Sequence, residues 1–155
     1  MENQNKTASE ILFEAANLLE YSKDWIQGSF FSASEDAGCS MCAHGAIMYC
    51  ASSYVKDKAD KNHSRAVDAE PAHVVATLVS AAASGDNRAL AYYENQAKIE
   101  SLSFPDYIRK HYQGEWSLAH YMAAKVGLTY SYNDTVGRTK QEVIDKLREA
   151  ASSSL

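Results

Sequence analysis

The chain has 155 residues, 46% of them hydrophobic and 23% charged, with a net charge of −5 at pH 7. Those values suit one soluble domain with a real core, and the acidic balance argues against a general binder of phosphate backbones, so nucleic acid is not an expected partner. Met1-Glu2-Asn3-Gln4-Asn5 has neither the basic nor the apolar region of an export signal. No apolar run is long enough to span a bilayer, which excludes a membrane helix. Three cysteines, an odd number, suit a reducing compartment, and a cytoplasmic protein is expected.

In chain order, residues 1–6 read as a flexible tail and 7–155 as a single helical domain. Thr7 with Glu10 makes a capping box, in which the hydroxyl takes a free helix N–H and the carboxylate reaches back to the cap. Ile11, Leu12, Ala15, Leu18 and Leu19 follow as one apolar stripe. The aromatic run from Trp25 to Phe31 does not fit a helical stripe and reads as a short strand, with Thr129 to Tyr132 as its expected partner. Ser34 to Gly38 reads as a loop. Cys39 to Tyr54 reads as a helix apolar on every side and hence central; Gly45 inside it marks the close approach of another backbone.

Val55 to Ala69 is polar and without a period, and is expected to be a surface loop. Pro71 opens a helix that carries Val74, Val75, Leu78, Val79 and Ala82. A further helix is expected over Arg88 to Ser101, a short one after Pro105, and another over Trp116 to Val126, stopped by Gly127. Thr139 and Glu142 form a second capping box, and Val143, Ile144, Leu147, Ala150 and Ala151 repeat the N-terminal stripe, so the two terminal helices are expected to pack together. The expected fold is mainly α, a compact domain of about six or seven helices with a minor two-stranded β element.

Candidate chemistry sits in two places. Cys39-Ser40-Met41-Cys42-Ala43-His44 has the C-x-x-C spacing of a metal knuckle or a redox pair. No second pair completes four zinc ligands, so Cys39, Cys42 and His44 are weak metal candidates, and small thiols in a core are the plainer reading. Within one helix His44 points away from Cys42, which leaves a Cys–His pair to a distant histidine such as His73 or His120. Asn133, Asp134 and Arg138 offer an amide, a carboxylate and a guanidinium. A turn explains the first two, while a cation at a helix start is disfavoured by the dipole, so Arg138 requires a partner, with Asp134 nearest in sequence. Tyr92, Tyr112 and Trp116 belong to an aromatic segment suited either to recognition or to core packing.

Three blocks, taken together, resemble a family of small bacterial and phage proteins with no established activity. They are the first helix leading to Trp25, the Cys42-Ala-His-Gly-Ala-Ile47 block, and Tyr132-Asn-Asp followed by Arg-Thr and a helix ending in Arg-x-Ala-Ala at Ala151. The resemblance covers about half the chain, at its ends; the middle, Val55 to Gln113, does not match, and Tyr132 stands where a tryptophan is expected. The resemblance implies the fold and a phage or prophage origin, with no cofactor or catalytic residue.

The leading expectation is a non-catalytic binding protein, a phage accessory protein that engages a host protein such as a defence or CRISPR component. It rests on the lack of a triad, phosphate loop or full ligand set. A small enzyme or small-molecule binder with a pocket near Cys42, His44, Asn133 and Arg138 is the alternative, and a zinc-stabilised structural protein the third. No cofactor is expected. The protein partner is of unknown identity, and a homo-oligomer is left open.

Overall fold

The computed structural model describes residues 6–34, 38–62, 87–112 and 114–153. The expected helix after Pro71 lies outside them. Among the described residues the fold is mainly α, with eight helices and one two-stranded antiparallel sheet. Helix α1 spans Ala8–Tyr21, β1 Phe31–Ser34, β2 Gly38–Met41, α2 Ala43–Ala51, α3 Ser53–Asn62 and α4 Asn87–Ile99. Then follow α5 Phe104–His111, α6 Glu115–Lys125, α7 Tyr130–Asp134 and α8 Lys140–Ala151. No helix among the described residues is long and apolar enough to cross a membrane.

The terminal helices pack on each other as their stripes require. Both capping boxes form: Glu10 N–H donates to Thr7 Oγ1 at 3.1 Å, and Glu142 N–H to Thr139 Oγ1 at 3.1 Å. Ile11, Leu12, Ala15 and Leu19 of α1 meet Val143, Ile144, Leu147 and Ala150 of α8 in one core. Across the seam Arg148 pairs with Glu20. Lys6, expected in the flexible tail, is tied down: its ammonium pairs with Glu14 at 2.5 Å and donates to the Cys50 carbonyl at 3.0 Å.

Helix α2 lies against α1, α3 and α6, and its residues from Ala43 to Tyr49 are all buried. It is shorter than the expected Cys39-to-Tyr54 helix. Cys39 to Met41 belong instead to β2, where Cys39 is opposite Ala33, and Ser52 takes an extended conformation that ends the helix. The chain then turns into α3, so the polar stretch after Val55 begins as a helix rather than a loop. Val55 and Ala59, four apart, are fully buried against α2. Two i,i+4 ion pairs, Lys56–Asp60 and Lys61–Asp57, line its outer side. An apolar stripe two residues wide is too narrow for periodicity to reveal, yet it holds this helix in place.

The β element also differs from expectation. The strands are Phe31–Ser34 and Gly38–Met41, paired in a hairpin, while Trp25 makes only an isolated parallel bridge to Met41. Thr129 to Tyr132 is no strand. Thr129 caps the short helix α7, its hydroxyl accepting from Tyr132 N–H at 3.1 Å. The alternation of Thr129, Tyr130, Ser131 and Tyr132 imitates a strand, but a capping threonine outweighs it. The two segments nevertheless meet, through side chains rather than a ladder, and that meeting builds the site.

Candidate functional site

Asn133 organises the region. Its side chain is 1% exposed and uses its full hydrogen-bonding capacity. Its Oδ1 accepts from Trp25 Nε1 at 2.7 Å and from Ala43 N–H at 3.1 Å. Its Nδ2 donates to the Ile26 carbonyl at 3.2 Å and to Asp134 Oδ1 at 2.8 Å. One side chain thus fastens α7 to the Trp25 segment and to the first turn of α2. Asp134 extends the tie, accepting from Gly28 N–H at 2.9 Å, and Gln27 donates to the carbonyls of Asn133 and Thr135, each at 2.9 Å.

These ties hold open a pocket of about 230 Å³ lined by Gly28, Ser29, Phe30, Cys42, His44, Tyr130, Asn133 and Asp134. The Phe30 and Tyr130 rings stand edge to face at 5.4 Å, and the His44 ring meets Tyr130 at 4.6 Å in the same manner. Cys42 and His44 share the pocket because Cys42 is not inside the helix. It is the N-cap of α2, in extended conformation, with its sulfur accepting from Gly45 N–H at 3.3 Å.

Behind the pocket, His44 of α2 stacks on His120 of α6 with ring centroids 5.8 Å apart. Both are 1% exposed, and no ring nitrogen of either makes a well-formed hydrogen bond. Burial drives the His44 pKa down to about 4, against smaller opposing effects from the Leu128 carbonyl and the Asp134 charge. His120 falls well below its ordinary value through burial and through the neighbouring His44. Both imidazoles are therefore neutral at pH 7. Burial pushes the Cys42 thiol up to about 12, although the Gly45 and His44 amides favour its thiolate, and Tyr130 rises to about 12, first through burial. A thiol held protonated beside a neutral imidazole is not an activated nucleophile.

The other expected site residues fall elsewhere. Arg138 does not line the pocket and does not pair with Asp134. Its Nε donates to the Tyr132 carbonyl at 2.9 Å, its Nη1 pairs with Glu142 at 3.1 Å, and its guanidinium lies over the Tyr132 ring, 3.6 Å from the centroid. The capping-box carboxylate thus serves the Thr139 amide through one oxygen and Arg138 through the other, which accounts for a cation at a helix start. Trp116 is a core residue, 1% exposed. Tyr112 is half-buried among Tyr93 and Tyr107, with ring centroids 5.9 and 6.0 Å away, whereas Tyr92 is exposed. Cys42 and Cys50 are free thiols. Among the described residues no three His, Cys, Asp or Glu side chains converge as a metal site.

The pocket brings together Cys42, His44, Asn133 and Asp134 with Gly28, Phe30 and Tyr130, which the sequence did not mark as site residues, and His120, expected as a possible partner for a cysteine, stacks on His44 instead. Phe30 and Tyr130 carried a signal, since each lay in one of the two segments expected to pair.

One family model matches residues 3–153 of the chain. The chain belongs to DUF6197, a family of unknown function. The DUF6197 match runs through the middle of the chain as well as its ends, so residues 55–113 are part of the family's span rather than an unmatched insert. No curated protein and no solved structure matches the chain.

Proposed function

We propose that the protein is a non-catalytic binding protein whose ligand site is the pocket between Gly28–Phe30, the start of α2 and helix α7. The observation that carries this reading is the pocket itself, about 230 Å³ walled by the Phe30, Tyr130 and His44 rings, with Asn133 and Asp134 converging on it. Mostly aromatic and apolar walls with a few converging polar groups are the usual make-up of a small-molecule site. The protonated Cys42 thiol and the neutral His44 favour binding over thiol chemistry.

A fragment library followed by protein amide shifts in NMR tests it. Hits are expected to move the amides of Gly28, Ser29, Tyr130 and Asp134 together. Hits confined to other surfaces would overturn the assignment, and turnover of a bound fragment would overturn the non-catalytic part.

The protein-partner reading has a different support, the exposed Tyr92 and Ile99 on α4, 59% and 75% accessible. Exposed aromatic and aliphatic side chains of this kind anchor interfaces. A phage accessory protein docking on a host factor is the form of that reading raised by the family resemblance. Tyr92→Ser is expected to weaken capture of such a partner with little change in melting temperature, and unchanged capture would contradict it.

A further inference from the structure

The pocket also has a charge. Among its described lining residues the carboxylate of Asp134, at the exposed rim, is the one formal charge, since His44 is neutral. Arg138, the nearest cation in sequence, is turned onto Tyr132 and Glu142. Oδ1 of Asp134 accepts from Gly28 N–H and from Asn133 Nδ2. Among the described residues its Oδ2 has no donor and the carboxylate has no ion-pair partner. Deeper in, the buried His44 ring stands edge to face against Tyr130. Between rim and floor stand the Phe30 and Tyr130 rings.

Among the described residues an anion here would meet a carboxylate and no cation. An uncharged apolar molecule would leave Asp134 Oδ2 without a donor. A cation gives Asp134 Oδ2 both a donor and a counter-charge, and its charge is further stabilised by the faces of aromatic rings.

We infer that the pocket takes a small organic cation, a protonated amine on an apolar or aromatic body, with its ammonium on Asp134 and its body against the Phe30 and Tyr130 rings. This assignment rests on the binding-site reading above and narrows it to one ligand class. The volume of about 230 Å³ limits the occupant to a small molecule or the tip of a larger one.

Benzylamine, benzyl alcohol and benzoate share a size and differ in charge. Each is titrated into the full-length protein, with the Gly28 and Tyr130 amides and the His44 ring followed by NMR. Benzylamine is expected to bind about tenfold or more tightly than benzyl alcohol, in line with a charge-assisted hydrogen bond, with benzoate weakest. Asp134→Asn keeps the oxygen that Gly28 N–H needs and removes the charge, so it should reduce benzylamine to the level of the alcohol. Equal or tighter binding of the alcohol or benzoate at these residues would overturn the cationic class while leaving the pocket as a binding site. A preference for benzylamine that survives Asp134→Asn would overturn the role of the carboxylate, and no shift with any of the three probes would overturn both readings.

Discussion

Gly45 lies directly beneath the carbonyl of Phe30. A Cβ added at Gly45 would sit 3.1 Å from the Phe30 carbonyl carbon, closer still to its oxygen, and 3.2 Å from the Met41 Cβ. The same Phe30 oxygen accepts from Cys42 N–H at 3.1 Å, so it is anchored over the first turn of α2 and cannot simply move away. The pocket wall at Phe30 and the helix that carries His44 are thus set against each other at a contact only glycine permits.

Gly45→Ala should therefore destabilise the protein despite the better helix propensity of alanine. Forcing a methyl into a packed contact costs about 1–3 kcal/mol, and here the obstacle is backbone. Denaturant unfolding measures the change. A stability equal to or above that of the parent would mean that the strand and helix separate freely.

Asn133→Asp changes one atom's chemistry without changing shape. The oxygen that accepts from Trp25 and Ala43 survives, but the group that donates to the Ile26 carbonyl and Asp134 becomes an acceptor facing two acceptors. A carboxylate in this buried place also loses hydration. The expected loss is more than about 2 kcal/mol at neutral pH, from an unmade buried hydrogen bond and like-charge repulsion, and it should shrink as the pH is lowered and the new carboxyl takes a proton. A loss of stability independent of pH would count against this reading.

The stacked histidines give stability a pH dependence of definite sign. In the unfolded chain they have an ordinary pKa near 6.5, whereas in the fold His44 titrates at about 4 and His120 well below its ordinary value. Above pH 6.5 both are neutral in both states and contribute no slope. Below it the unfolded chain takes up protons that the folded chain refuses, so stability falls as pH falls, by up to about 1.4 kcal/mol per pH unit for each histidine. The His44 contribution levels off near pH 4, where the folded protein also takes its proton. The depressed carboxylates of Asp60, Glu100 and Glu142 add a loss at lower pH, below their ordinary values of 3.8 and 4.5. Between pH 6.5 and 5 the slope therefore belongs mainly to histidines. Unfolding free energies measured across that window should fall with acid, and substitution of His120 by phenylalanine should flatten the fall. A flat profile in the parent would show that the imidazoles are hydrated or paired.

Much of the frame was legible because it depends on local devices. Two capping boxes and two stripes specify α1 and α8 and their packing, and Gly45 within an apolar run announces a close backbone approach. The failures have local causes as well. At Thr129 a helix cap was hidden by an alternating pattern, and at Val55 and Ala59 a stripe was too narrow to stand out. At Arg138 two acids stand four residues away, Asp134 upstream and Glu142 downstream, and the guanidinium turns to Glu142, which lies on the same helix side one turn on. The pocket itself could be read only in part. Asn133 looks like a turn residue until Trp25, some hundred positions upstream, is seen to donate to it, and the stacking of His44 on His120 depends on how α2 and α6 cross.

His44→Phe separates a binding role from a packing role more directly than any other change. Phenylalanine keeps an aromatic ring against Tyr130 and His120 and removes two nitrogens that have no partners, so packing alone gives no reason for stability to drop. Melting temperature and the affinity of a pocket-binding fragment should be measured on the same sample. The expected result is a melting temperature equal to or above that of the parent with fragment binding weakened, because the larger ring narrows the pocket that His44 lines, the pattern of a residue kept for function at the expense of stability. A variant that binds the fragment as tightly as the parent would contradict the central role given to His44.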